Sequence, residues 1–91
     1  MQEKKWRVEL SKSALKHLKN LEEKPAKKIL DDLQELEGLK NPCLHQDIRP
    51  LVGKLKGFYR LRIGDMRIVF ELDRKNKRIG VHSIIHRGSA Y

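Results

Sequence analysis

Residues 58–70, FYRLRIGDMRIVF, carry the strongest structural signal in this chain. At their centre, Gly64-Asp65 has the form of a two-residue turn, with glycine supplying the positive φ that a type II′ loop needs at its first central position. Closing a hairpin on that turn sets Ile63 opposite Met66, Arg62 opposite Arg67, Leu61 opposite Ile68, Arg60 opposite Val69 and Tyr59 opposite Phe70. Side chains alternate along a strand, so Tyr59, Leu61, Ile63, Met66, Ile68 and Phe70 face a core while Arg60, Arg62 and Arg67 share the opposite surface. Like charges directly across a ladder weaken a sheet by about 0.2 to 1 kcal/mol, so local stability does not account for the pair Arg62/Arg67. An anion held between them does.

Working outward, Trp6-Arg7-Val8-Glu9-Leu10 alternates as a first strand, and Ser11 or Ser13 is placed to cap the helix that follows. Ala14, Leu15, Leu18 and Leu21 recur at helical spacing opposite a wet face of Lys12, Lys16, Lys19 and Asn20. Pro25 suits the first residue of a second helix, whose buried stripe is Ala26, Ile29, Leu30, Leu33 and Leu36 and whose end is marked by Gly38. The short link between the two makes an antiparallel helical hairpin. From Leu39 to Gly53 the periodicity breaks at Asn41-Pro42 and Arg49-Pro50, which predicts a surface connector. Strands resume over Leu55 to Ile63, Met66 to Asp73 and Arg78 to His86, the last two joined by Arg74-Lys75-Asn76-Lys77. The order β, α, α, β, β, β predicts an α+β fold: an N-terminal strand, a two-helix hairpin and a three-stranded antiparallel meander, the helices packed on one apolar face of the sheet. With 91 residues and 38% apolar content, residues 1–91 form one domain around a single modest core.

Lys and Arg number 21 against 12 Asp and Glu, a formal charge of +9 that favours a polyanionic partner, nucleic acid first. A basic membrane-surface helix needs a long apolar face that these short helical segments lack, and no apolar run approaches a bilayer span. The single cysteine, Cys43, forms no intrachain disulfide, and MQEKKW lacks the apolar region of a secretory signal, which points to the cytoplasm. No spacing of Cys43 with His17, His45, His82 or His86 matches a zinc site, so neither metal nor other cofactor is expected.

Transfer at a phosphodiester builds negative charge on the equatorial oxygens, and arginine meets two of them at once with a planar fork that stays protonated near neutrality. Arg60, Arg62 and Arg67 suit that task. If a ribose 2′-OH attacks, no metal is required, but one group must take its proton and another must protonate the departing 5′-oxygen. His82, His86 and Tyr91 are the sources at hand. Lys54 and Lys56, flanking Leu55, are candidates to hold further RNA phosphates, and His86 beside Arg87 is a candidate for the same surface.

YRLRIGDMRIVF followed by HRGSAY resembles the signature of RelE-type toxins in the RelE/ParE toxin-antitoxin superfamily. The resemblance extends through Ser-Lys-Ser-Ala-Leu-Lys at the first helix, the leucine-rich second helix and DIRPLVGKLKGFYRLR. It implies a RelE-like microbial RNase-type fold and a cytoplasmic toxin that enters the ribosomal A site and cleaves mRNA there by metal-free 2′-OH attack. By position it implies a catalytic set of Arg62, Arg67, Arg87 and Tyr91. Arg67 would stabilise charge on the scissile phosphate, Arg62 orient the nucleophile, Arg87 assist the leaving group, and Tyr91 stack on a base or act as acid or base. A guanidinium is a poor general base, which leaves the group that takes the proton open among these residues. Arg60, Lys54, Lys56 and His86 would bind RNA. Met66 departs from the aromatic common in the family, and Tyr91 is the last residue of the sequence.

The same resemblance implies as partners mRNA on the ribosome, rRNA, and a cognate antitoxin in a heterotetrameric complex. Physical chemistry suggests the antitoxin's form: an acidic helical or extended segment laid over the basic face. Two other functions remain open from the sequence: a ParE-like inhibitor of DNA gyrase on the same fold, and a non-catalytic module that binds antitoxin or RNA.

Overall fold

The computed structural model describes residues 5–42 and 45–86. Along the chain run β1 (Arg7–Leu10), α1 (Lys12–Lys19), α2 (Glu23–Glu37), β2 (Ile48–Pro50), a 3-10 turn (Gly53–Leu55), β3 (Phe58–Ile63), β4 (Met66–Asp73) and β5 (Arg78–His86). The strands form one five-stranded sheet in the order β1-β5-β4-β3-β2. All five cross-strand pairs expected from the hairpin are present, including Arg62 with Arg67 and Tyr59 with Phe70. Gly64 takes φ +55 and Asp65 does not leave the negative-φ region, as a type II′ turn requires.

The architecture is α+β, with helices on one face, as the sequence predicts. Three features differ from that reading or add to it. A fifth strand, β2, comes out of the segment predicted as a connector, and it pairs antiparallel with β3 through Ile48 with Leu61, Arg49 with Arg60 and Pro50 with Tyr59. It tolerates Pro50 because it is an edge, where a missing N–H breaks no second ladder. β1, whose partner the sequence left open, pairs in parallel with β5, Val8 beside Ile79 and Leu10 beside Val81, in a sheet otherwise antiparallel. β3 begins at Phe58 rather than Leu55, because Gly53 and Gly57 at φ +70 and +99 fold Lys54, Leu55 and Lys56 into a turn.

Ser11 is the cap of α1, its Oγ accepting from the Ala14 N–H at 3.0 Å. α2 starts two residues before Pro25, whose absent N–H falls in the first turn where no intrahelical acceptor exists. The helices bury Ala14, Leu18, Ile29, Leu33 and Leu36 against Leu61, Ile63, Met66, Ile68, Phe70, Ile79, Val81 and Ile84 of the sheet, with Trp6 and Ile48 at its margins. Leu15 and Leu30, expected in the buried stripes, are 41% and 48% exposed, since each stands one residue round the helix from the side chain that packs. Phe70 is fully buried, its ring stacked on Tyr59 with centroids 5.8 Å apart.

The outer margin of β1 is closed from within. The Val8 N–H, which points away from β5, donates to Glu37 Oε2 at 2.9 Å, and the Trp6 indole N–H donates to the Lys40 carbonyl at 3.1 Å. Glu37 ends α2, where a carboxylate opposes the helix dipole, so its place there is explained by the strand it satisfies.

Candidate functional site

The register fixes which side chains share the face turned away from the helices. Arg60, Arg62 and Arg67 stand together on it, Arg62 exposed and the other two half-buried. The Arg62 N–H turns away from β4 and donates to the Asp47 carbonyl at 3.2 Å. Arg62 and Arg67 are therefore a non-hydrogen-bonded pair, the kind in which side chains stand closest. Between them, Arg62, Gly64, Asp65 and Arg67 line a hollow of about 180 Å³. β2 adds Arg49 beside Arg60 on the same face. The sequence reading missed Arg49 because it took Arg49-Pro50 as a break; the alternation of Ile48 with Arg49 was the available signal. No carboxylate among the described residues forms a salt bridge with Arg49, Arg60 or Arg62.

The far end of the same face is electrostatically different. Arg78 grips Glu9 with a fork, Nε to Oε1 at 3.1 Å and Nη2 to Oε2 at 2.6 Å, and Arg7 stands 3.9 Å from the same carboxylate. The Arg78 hydrogen bonds hold the Glu9 carboxyl below its ordinary range, and Glu9 in turn raises Arg78. Asp73 is lowered by the Asn76 side-chain amide and backbone N–H that it accepts from in the β4–β5 turn. These arginines have an internal counter-ion. On the same face Arg49, Arg60 and Arg62 have no salt bridge among the described residues.

β5 carries an irregularity that changes the face on which its later residues, His86 among them, stand. The pairing steps from Val69 with Ser83 to Phe70 with Val81, leaving His82 as an extra residue. Ser11 secures that bulge: besides capping α1, its Oγ donates to the His82 carbonyl at 2.8 Å. The exposed His82 ring meets Phe58 across β4, centroids 5.5 Å apart at 72°. Because the bulge shifts the alternation, His86 falls opposite Met66 on the helix side. There it lines a hollow of about 270 Å³ with Leu21, Ile29, Ile63 and Met66. The sequence suggests His86 for the arginine surface, and simple alternation would put it on the side of His82; the structure places it on the opposite side of the sheet. Lys54 and Lys56 lie exposed in and just after the 3-10 turn, not on a strand. Arg87 and Tyr91 lie outside the described residues.

Among the described residues no group of three or more His, Cys, Asp or Glu is placed to hold a metal ion, and no helix is long and apolar enough to cross a membrane. What the face offers chemically is an anion-sized recess lined by the Arg62 and Arg67 guanidinium groups and the Asp65 carboxylate, with Arg60 and Arg49 alongside and no salt bridge among the described residues on Arg49, Arg60 or Arg62.

No curated protein sequence matches. Among solved structures, the chain is similar to the RelBE toxin-antitoxin complex of Mycobacterium tuberculosis, with 19% identity and a TM-score of 0.79 over 93% of this chain and 94% of that one. It is also similar to the archaeal RelE-RelB complex of Pyrococcus horikoshii, with 28% identity and a TM-score of 0.77 over 94% and 99% of the two chains. The intact RelBE complex of E. coli follows at 15% identity and a TM-score of 0.71 over 93% and 99%. A family model described as the ParE toxin of type II toxin-antitoxin systems matches residues 8–91. The chain therefore belongs to the ParE toxin family, within the RelE/ParE superfamily of type II toxin-antitoxin toxins.

Proposed function

We propose that this toxin is a ribosome-dependent endoribonuclease that cuts mRNA in the A site and so stops translation. The observation that carries the reading is the recess between Arg62 and Arg67, with Arg60 and Arg49 alongside on the same open face. One phosphodiester held there has its equatorial oxygens met by Arg67 while Arg62 orients the ribose. The 2′-oxygen then bonds to phosphorus, the P–O5′ bond breaks, and the proton lost by the 2′-OH is matched by one gained at the 5′-oxygen. In this reading Arg87 and Tyr91 serve the leaving group and an adjacent base, and Lys54 and Lys56 hold more distant phosphates of mRNA or rRNA. The reaction takes place in the cytoplasm, and an acidic antitoxin segment neutralises the arginine face in a heterotetrameric complex.

A second reading has its own support, since the matching family model is described by its ParE members: inhibition of DNA gyrase by binding alone. Primer extension on mRNA after brief induction, run beside a supercoiling assay, separates the two. The nuclease reading expects new mRNA ends within ribosome-bound codons that vanish with Arg67→Ala or deletion of Tyr91. Intact mRNA with loss of supercoiling activity refutes it.

A further inference from the structure

Val69 faces away from the helices, opposite Arg60, and is absent from the helix-side core, yet it is only 2% exposed. Something on the outer face covers it. The Phe58 and His82 rings meet edge to face across β4, Phe58 from β3 and His82 from the bulge that Ser11 secures in β5. Alternation from Ile79 and Val81 puts His82 on this face, and the bulge that follows, tied by Ser11 to the cap of α1, holds its backbone there.

We propose that the Phe58/His82 pair is a second subsite for single-stranded RNA, a platform on which one nucleobase stacks while the arginines hold the flanking phosphates. The inference rests on the RNA-binding reading above and names a contact within it. Phe58, Arg60 and Arg62 follow one another on the same face of β3, so the platform stands about 13 Å from the recess at a strand rise of about 3.3 Å per residue. In an edge-to-face pair the ring that offers its edge keeps its own faces free, and His82 is exposed. Histidine and phenylalanine are both used as stacking surfaces for unpaired bases. Glu71, exposed and directly across from Phe58, disfavours a phosphate at this end, whereas Arg49, Arg60 and Arg62 favour one at the other. An RNA strand crossing this gradient lays its backbone on the arginines and turns a base toward the rings.

The test contrasts a short single-stranded RNA with an abasic ribose-phosphate chain of the same length, each titrated against the purified toxin. His82→Ala and Phe58→Leu are expected to weaken RNA binding about fivefold to 150-fold and leave the abasic chain unchanged. Arg62→Ala is expected to weaken both. If the aromatic variants weaken both chains equally, or neither, the pair only roofs Val69 and the proposal is overturned. Should Phe58→Leu fold poorly, the parent protein decides: its His82 ring-proton resonances shift with RNA and not with the abasic chain, and their failure to shift with RNA overturns the platform. A base-dependent contrast without mRNA cleavage on ribosomes refutes the nuclease reading and leaves the platform standing. Cleavage without the contrast refutes the platform alone.

Discussion

Neutralising Arg62 should make the protein more stable while it removes a group assigned to the site. Arg62 and Arg67 are a direct cross-strand pair of the closely spaced kind, and the Arg62 backbone is already satisfied by Asp47, so Arg62→Gln changes charge without disturbing the ladder. Two unit charges brought as close as the pair's Cβ spacing of about 5 Å, in a medium of ε about 80, repel by about 0.8 kcal/mol, the upper bound for this pair and the size of other cross-strand pair energies. For a domain of this size that bound corresponds to a rise in Tm of about 3 to 6 °C. Screening reduces the repulsion by roughly 40% at about 0.1 M salt and by about four-fifths at about 1 M, where the Debye length has fallen to about 3 Å. The assay is thermal unfolding by circular dichroism of both proteins at low and high salt. The expected result is a more stable variant at low salt and near-coincident melting curves at high salt. A variant that melts at or below the parent at low salt, or a gain that does not shrink with salt, refutes the idea that the recess holds stored repulsion.

Three other outcomes follow from the packing and the charges. Phe70→Ala, at a fully buried position, should cost about 3 to 5 kcal/mol, a large share of the roughly 5 to 14 kcal/mol typical for a chain of 91 residues; denaturant unfolding measures it. Ser11→Ala removes a helix cap and the bond that secures the β5 bulge, so it should lose about 1 kcal/mol or more and alter the chemical shifts of His82; a loss confined to helix stability, with His82 unmoved, would break the link between cap and bulge. The folded-state pKa of Glu9 lies below its ordinary value of 4.5, so its ion pair stabilises the fold above that pH and the contribution is lost as pH falls through the depressed value. Glu9→Gln should flatten the stability profile across that acidic window, and identical acid-unfolding curves for the two proteins would contradict it.

The hairpin was legible because its information is local: a glycine that can take positive φ, and alternation on both sides of it, fix every pair from Ile63/Met66 to Tyr59/Phe70. A serine cap, narrowed to Ser11 or Ser13, and the bounds of β4 and β5 were legible for the same reason. The parallel pairing of β1 with β5 left no local mark, since it joins residues some seventy positions apart. β2 was hidden by its brevity and by Pro50, and with it went Arg49. The bulge at His82 is set by a contact from Ser11 that no periodicity encodes, and it sent His86 to the helix side where simple alternation placed it with the arginines. Of the site, Arg60, Arg62 and Arg67 were placed together correctly, and Phe58 and Arg49 join them only through the fold.

The carboxylate that Glu37 lends to Val8 also bears on how copies of this chain behave when concentrated. An open ribbon of stacked sheets needs two complementary margins on every subunit, one to accept the next strand and one to offer itself onward. Here the β1 margin is occupied by a charge-assisted bond that an incoming strand must first displace, and the β2 margin is three residues long and lacks a donor at Pro50. Head-to-tail propagation is therefore opposed at both margins by ordinary side-chain chemistry.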